Sequence, residues 1–420
     1  MTVPVERNNI GIFGKINAGK SSVMNLITQQ ESSIVDSSPG TTSDTKISLY
    51  EMHGIGPVRL FDTAGINEGS ELGEKKRKKV LSDLKESDLI LIVIDPSSSD
   101  LSHEKEIVRE ARDLDKQILI IYNLFNEKDR DLIPLVEENI PHLKFHQKIS
   151  LKANDEKFRK PLIDFILKNF EQENSPVELL PFIERDNYYI LVIPMDEETP
   201  EGRYLRPQAM TEEYITRNWA YPVSFRLDLA SARGNNPGRE KERFLALVKG
   251  LSKKPRCIIT DSQAMDIMSR WCPEDIDLTT FSIIMINYMS NGRLHRFVQG
   301  ILALDTLQEG DSILISEACN HSRIGEDIGT VQIPAILAKT HPGVTVEHNF
   351  GREFQDNRSL EKYSLIIHCG GCMISRQKMT ARIRDLDNLG IPYTNYGIFL
   401  SAVNGKEALE KVLKPWGLEP

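Results

Sequence analysis

The sequence predicts an α/β protein of three domains, and three observations carry that prediction. Short apolar runs of β type alternate with amphipathic helical patterns along most of the chain, the spacing that builds doubly wound sheets. Its 420 residues exceed what one ordinary core holds. The alternation breaks at 171–176, a polar stretch ending in proline, and then restarts. The expected domains are 1–172, 176–265 and 266–420.

In the first of these, strands are expected at 9–13, 45–52, 58–61, 89–95 and 117–123. Helical patterns fill 22–27, 74–84, 103–114 and 160–171. The middle domain repeats the pattern on a smaller scale. Strands are expected at 188–193, 223–227 and 256–260, with helices at 207–219 and 240–251. It shows no glycine loop and no carboxylate pair, and an α/β module with open sheet edges is a candidate for self-association by strand pairing, the competing role being a spacer between its neighbours. From 266 onward, strands are expected at 282–288, 312–316, 345–348, 363–367 and 393–396. A helix at 375–389 is closed by Gly390 and Pro392.

Composition narrows the function. A hydrophobic content of 40% and a charged content of 27% are those of a soluble globular protein. The net charge of −9 argues against a general nucleic-acid binder, which needs a basic footprint. The basic run Lys75-Lys76-Arg77-Lys78-Lys79 reads as a solvated helix face. No apolar stretch reaches transmembrane length and the N-terminus lacks a secretory apolar region, so no membrane is expected. Five cysteines in so long a chain make no disulfide scaffold, which fits a reducing cytoplasm.

Two stretches carry chemistry. The first is Gly14-Lys15-Ile16-Asn17-Ala18-Gly19-Lys20-Ser21, which fits G-x-x-x-x-G-K-[ST] between an expected strand and an expected helix. Glycines let backbone N–H groups curl round phosphates, and the helix N-terminus adds its dipole. The cradle runs from Gly14 through Asn17, Ala18, Gly19 and Lys20 to Ser21 and Ser22. Lys20 is placed to reach the β- and γ-phosphates and Ser21 to hold Mg²⁺. Asp62-Thr63-Ala64-Gly65 ends the strand at 58–61, where the carboxylate can hold Mg²⁺ through water and the Gly65 N–H can sense the γ-phosphate. Thr41 and Thr42 lie in the loop after the first helix, where a threonine can complete the Mg²⁺ shell. Lys20, Thr42, Asp62 and Gly65 are the candidate catalytic residues.

These pieces resemble the TrmE–Era–EngA group of GTPases over about the first 170 residues. The resemblance implies GTP hydrolysis with Thr42 as the switch threonine and switch loops at 32–44 and 66–75. Where the group reads the base with N-K-x-D, this chain has Asn123-Leu124-Phe125-Asn126. One aspartate accepts both guanine donors, whereas an amide offers a single acceptor, so Asn126 is expected to bind guanine less well. Ser150-Leu151-Lys152 resembles the group's S-A-K loop. Ile66 stands where a Ras-like enzyme positions water with glutamine, a residue this group also lacks. In potassium-activated members an asparagine matching Asn17 helps to hold K⁺ against the phosphates. Slow turnover, faster in K⁺ than in Na⁺, is therefore expected.

The second stretch is His368-Cys369-Gly370-Gly371-Cys372, read with Cys319-Asn320-His321. Each follows an expected strand, and sites in open α/β sheets form outside the carboxyl ends of strands. Two neighbouring parallel strands would bring Cys319 to Cys369 and Cys372. The ligand chemistry admits a closed structural zinc site or an iron–sulfur cluster with an exchangeable fourth ligand. Buried structural cysteines are the third reading, and Cys257 and Cys272, outside the pattern, read as packed thiols.

The cysteine pattern and the order of parts resemble HydF, the GTPase family of [FeFe]-hydrogenase maturation, over essentially the whole chain. The resemblance implies that Cys319, Cys369 and Cys372 bind a [4Fe–4S] cluster and that the middle domain makes a homodimer. It implies a scaffold or carrier that receives a diiron precursor from radical-SAM maturases and delivers it to apo-[FeFe]-hydrogenase. His321, His368, Glu326 and Asp327 are candidates for the fourth ligand. For each histidine, a hydrogen-bonded place beside the cluster is the competing role. The rival reading is an RNA- or ribosome-associated GTPase with a structural zinc site.

Overall fold

The run Leu89–Ile94 has no polar side chain and is fully buried. A strand covered on both faces shows no polar face, so it reads as a continuous apolar run. The computed structural model describes residues 7–29, 46–62, 71–170, 177–194, 204–234, 237–318, 327–351, 354 and 357–420, with backbone alone at 71–78 and 357. The chain forms two compact units, Thr2–Ser175 and Pro176–Pro420.

The first unit holds one six-stranded sheet. Its strands are β1 (Asn8–Phe13), β2 (Lys46–Met52), β3 (Gly56–Asp62), β4 (Leu89–Ile94), β5 (Gln117–Asn123) and β6 (Gln147–Leu151), in the order β2-β3-β1-β4-β5-β6. Only the β2–β3 pair is antiparallel. Alternate side chains of a strand face opposite sides. Leu89, Leu91 and Val93 pack with Val23 and Ile27 of the helix Lys20–Thr28 and with Leu162 and Ile166 of Arg159–Asn169. Ile90, Ile92 and Ile94 pack with Leu84 and with Ile107 and Val108 of the helix Ser102–Asp113. This is the doubly wound sheet expected for the N-terminal part.

The second unit contains two four-stranded sheets, parallel throughout. One consists of β7 (Tyr188–Ile193), β8 (Tyr221–Arg226), β9 (Cys257–Thr260) and β10 (Asp277–Thr280), in the order β10-β9-β7-β8. The other consists of β11 (Ser312–Glu317), β12 (Thr345–Phe350), β13 (Leu365–His368) and β14 (Tyr393–Asn395), in the order β12-β11-β13-β14. A continuous apolar core runs from Ile190 and Phe225 in the first sheet to Ile315 and Ile367 in the second. The C-terminal tail crosses back: Trp416 packs edge-on to Phe182 at 5.2 Å and donates to Thr279 Oγ1 at 2.9 Å.

One sequence expectation fails in this unit, and one strand is not among those expected. The run expected as a strand at 282–288 is the helix Phe281–Met289, capped at its start by Thr280, whose hydroxyl accepts from the Ile283 N–H at 3.1 Å. Nearly all of that helix is buried, and a fully apolar run has no period that separates helix from strand. Strand β10, Asp-Leu-Thr-Thr in sequence, carries too little apolar signal to be expected. It completes the middle sheet from beyond the expected division at 265/266.

Candidate functional site

The loop after β1 is shaped by close approach. Gly14 has φ +147°, and a Cβ there would lie 2.3 Å from the Val93 carbonyl oxygen; Gly19 has φ +98°, and its Cβ would meet the Asn123 amide at 2.1 Å. Positions this tight, with positive φ, are glycine positions. Lys20 is buried and its ammonium donates to the carbonyls of Gly14 and Lys15, both at 2.9 Å. Burial lowers its pKa, against the opposing charges of Asp62 and Glu104. The Ser21 hydroxyl donates to Asp62 Oδ2 at 2.5 Å. Asp62 Oδ1 is buried with no partner among the described residues. A hydroxyl beside a carboxylate with one open buried oxygen fits a divalent cation such as Mg²⁺.

Asn123 ties the base side to this loop. Its Nδ2 donates to the Ala18 carbonyl at 2.9 Å and its Oδ1 accepts from the Ala153 N–H at 3.0 Å. Leu124, standing where the group has lysine, is buried in the core instead of flanking the loop. Asn126 is exposed, and its N–H donates to Asp129 Oδ2 at 2.7 Å. Ser150 lies in β6, paired with Tyr122, and Lys152 beyond it forms an ion pair with Glu127 at 3.1 Å. Asn17 has an exposed side chain and φ +65°; Ser22 lies in the first turn of the helix. Thr41, Thr42 and Gly65 lie outside the described residues, as do all of the expected switch loop 32–44 and residues 66–70 of the other.

One feature of this site has no motif. Glu104, in the first turn of Ser102–Asp113, is only 1% exposed and accepts from the Lys15 backbone N–H at 3.0 Å. Its Oε2 is buried without a partner among the described residues, and burial raises its pKa. Lys15 Nζ pairs with Asp100 at 2.9 Å. The segment after β4 thus grips Lys15 of the loop through its backbone and its side chain.

In the second unit β11 and β13 are adjacent and parallel, with Ser316 opposite His368. Cys369 follows directly, 6% exposed, and its Sγ accepts from the N–H groups of Ala318 at 3.2 Å and Gly371 at 3.4 Å. Gly371 has φ +68°, a left-handed conformation that favours glycine in this turn between the cysteines. Cys319, the residue after Ala318, lies outside the described residues, together with His321 and Glu326. Among the described residues no three metal-ligating side chains cluster.

Cys369 and Cys372 face a cavity of about 160 Å³. Its walls come from the carboxyl ends of both sheets: Pro194 and Asp261 beyond β7 and β9, and Glu317 and Tyr396 at the ends of β11 and β14. Buried sulfur with two backbone N–H donors, opening onto a cavity, suits a thiolate bound to a soft metal or a cluster.

His368 is occupied otherwise. Its Nε2 lies 2.8 Å from Arg382 Nη1, and a guanidinium only donates, so Nε2 accepts. Nδ1 then carries the proton and donates to the Cys369 carbonyl at 2.7 Å. Both ring nitrogens are thus engaged in hydrogen bonds. Asp327 is buried, and its Oδ1 accepts from the N–H and hydroxyl of Thr330 at 2.6 and 2.8 Å. Burial pushes the Cys257 thiol well above its ordinary range and that of Cys272 up to about 11, as for packed thiols.

The sheet and phosphate loop define a P-loop nucleotide-binding domain followed by two parallel α/β modules. Residues 9–124 match the model of the 50S ribosome-binding GTPase family. Residues 238–289 match the hydrogen maturase F dimerization domain, and 295–415 the hydrogen maturase F tetramerization domain. The chain belongs to the hydrogen maturase F family, with a GTPase domain of the TrmE–Era type at its N-terminus.

Over the GTPase domain it is 36% identical across 123 residues to GTPase Der of Nitratiruptor sp., covering 29% of this chain and 26% of that one. It is 38% identical across 138 residues to the tRNA modification GTPase MnmE of Natranaerobius thermophilus, covering 32% and 29%. The chain thus spans less than a third of the length of these relatives. Era of Aquifex aeolicus bound to GDP and aluminium fluoride aligns over 53% of this chain and 93% of its own, with 19% identity and a TM-score of 0.34. The matched models give the chain a GTPase domain, which takes GTP with Mg²⁺, and domains named for dimerization and tetramerization. Among the described residues no helix is long and apolar enough to cross a membrane.

Proposed function

We propose that the chain is a cytoplasmic GTPase and iron–sulfur scaffold that carries the diiron precursor of [FeFe]-hydrogenase and delivers it to the apo-enzyme. Its partners on this reading are radical-SAM maturases upstream and the apo-hydrogenase downstream. Cys319, Cys369 and Cys372 hold a [4Fe–4S] cluster, with His321 or Glu326 as the exchangeable fourth ligand. A cluster held by three thiolates supplies one iron that can accept an incoming ligand. The observation that carries the reading is Cys369: a buried sulfur receiving two backbone N–H groups at the carboxyl end of β13, turned to the same cavity as Cys372. His368 acts beside the cluster by fixing the Cys369 carbonyl through Nδ1.

In the GTPase domain, Lys20 moves from the loop carbonyls to the phosphates when nucleotide binds, and Ser21 and Asp62 share Mg²⁺. Thr42 and Gly65 sense the γ-phosphate, and Asn17 with K⁺ supplies charge in place of an arginine. Hydrolysis on these residues is slow, which suits a switch of partner affinity and requires contacts that differ between the nucleotide states. Asn123, Asn126 and Ser150 form the base side. The rival, an RNA- or ribosome-associated GTPase with structural zinc, is supported only by the GTPase domain that it shares.

Anaerobic reconstitution with iron and sulfide tests the cluster. The expected product is brown and shows the EPR signal of a reduced [4Fe–4S] cluster after dithionite. A protein that stays colourless and takes up zinc alone overturns the reading.

A further inference from the structure

The cysteine cavity is rich in negative groups. Asp261, Glu317 and Asp327 line it together with Cys369 and Cys372, and three thiolates on a cluster add further charge. Buried negative charge must be offset by cations or directed dipoles. One source of positive charge is the middle module. Helix Arg206–Arg217 begins at the cavity, where Leu205, Pro207 and Gln208 form part of the wall. A helix start carries partial positive charge, and here it is turned toward the cysteines.

Arg206, the first residue of that helix, reaches across to the other module, and its Nη1 donates to the Cys372 carbonyl. Its Nε is buried and has no hydrogen-bond partner among the described residues. A guanidinium N–H shut away from water without an acceptor is costly. Arg206 is half-buried and does not itself line the cavity, but its bond to the Cys372 carbonyl holds its charge beside a residue that does.

We propose that Arg206 and the start of its helix set positive charge beside the cysteine site, stabilising negative charge on whatever the cysteines hold. The middle module then does more than self-associate: it supplies a residue to the site of the C-terminal module. Arg206 is a positioning and charge-setting residue, not an iron ligand. The inference rests on the cluster reading above, because a cluster gains an electron on reduction and a nearby cation favours the reduced form.

The test is a potentiometric titration of the reconstituted full chain, followed by EPR, in wild type, Arg206→Lys and Arg206→Gln. Equal iron and sulfide content is expected in all three. The midpoint potential should fall in Arg206→Gln and take an intermediate value in Arg206→Lys, which keeps the charge but loses the fork. A fully loaded Arg206→Gln protein with the wild-type potential overturns the inference and leaves the cluster reading intact. Should Arg206→Gln not load, a loading Arg206→Lys still supports the role of charge, whereas failure of both assigns Arg206 to packing and overturns it. A wild type that takes up no iron and sulfide overturns both readings together.

Discussion

The phosphate loop and the cysteine cavity both sit at the carboxyl ends of parallel strands, yet they are built in opposite ways. The loop is one stretch of eight residues, Gly14 to Ser21, whose phosphate-binding groups lie together in sequence. The cavity draws its wall from many separate segments, between Pro194 and Tyr396, and from two sheets. A contiguous site can be read from spacing alone. A dispersed one can be read only for the members that chemistry makes rare, here the cysteines.

The largest expected effects test whether the two sites are separable. Lys20→Ala removes the only side-chain cation that the described loop turns inward, and GTP turnover should fall at least a hundredfold while the reconstituted cluster signal persists. Cys369→Ser should abolish the cluster signal and leave GTP hydrolysis close to wild type. Loss of both properties in either variant would break the comparison.

A smaller effect tests how far the loop depends on its supports. Glu104→Ala removes the acceptor of the Lys15 N–H, and a hydrogen bond to a charged group contributes about 1.5–3 kcal/mol. The KM for GTP should rise about tenfold or more, with kcat changed less. Glu104→Gln keeps an acceptor oxygen and should restore most of the loss. Equal damage in both variants would mean that the carboxylate's charge is what counts.

Asn126→Asp should tighten GTP binding by about tenfold, because a carboxylate accepts both guanine donors. Isothermal titration with GTP and ITP checks this, since ITP lacks the second donor and should gain less. The smallest effect is that of salt: hydrolysis should be a few-fold faster in K⁺ than in Na⁺ at equal ionic strength. Equal rates in both salts would remove Asn17 from its proposed role.

Much of this was legible in the sequence, for identifiable reasons. Lys20 and Ser21 follow the end of β1 at a fixed offset, Asp62 closes β3, and the pairing of β11 with β13 follows from two apolar runs ending before cysteines. Helix Phe281–Met289 was misread because a wholly buried segment loses its period, and β10 was missed because four residues carry almost none. Glu104 and Arg206 have no signature at all. Each acts on a partner 89 or 166 residues away in sequence, through one hydrogen bond to a backbone group that no motif records. His368 shows the converse: its place beside Cys369 suggests a ligand, and only the structure reveals that both its ring nitrogens are engaged, by Arg382 and the Cys369 carbonyl.

The central claim is that the cysteine site carries cargo for hydrogenase maturation. It is tested most directly by purifying the chain after co-expression with the radical-SAM maturases, adding it to apo-[FeFe]-hydrogenase and measuring hydrogen evolution. Wild-type protein should activate the apo-enzyme, and Cys369→Ser protein prepared in the same way should not. Equal activation by the two proteins, or none by either when a known maturase set succeeds, would contradict the account.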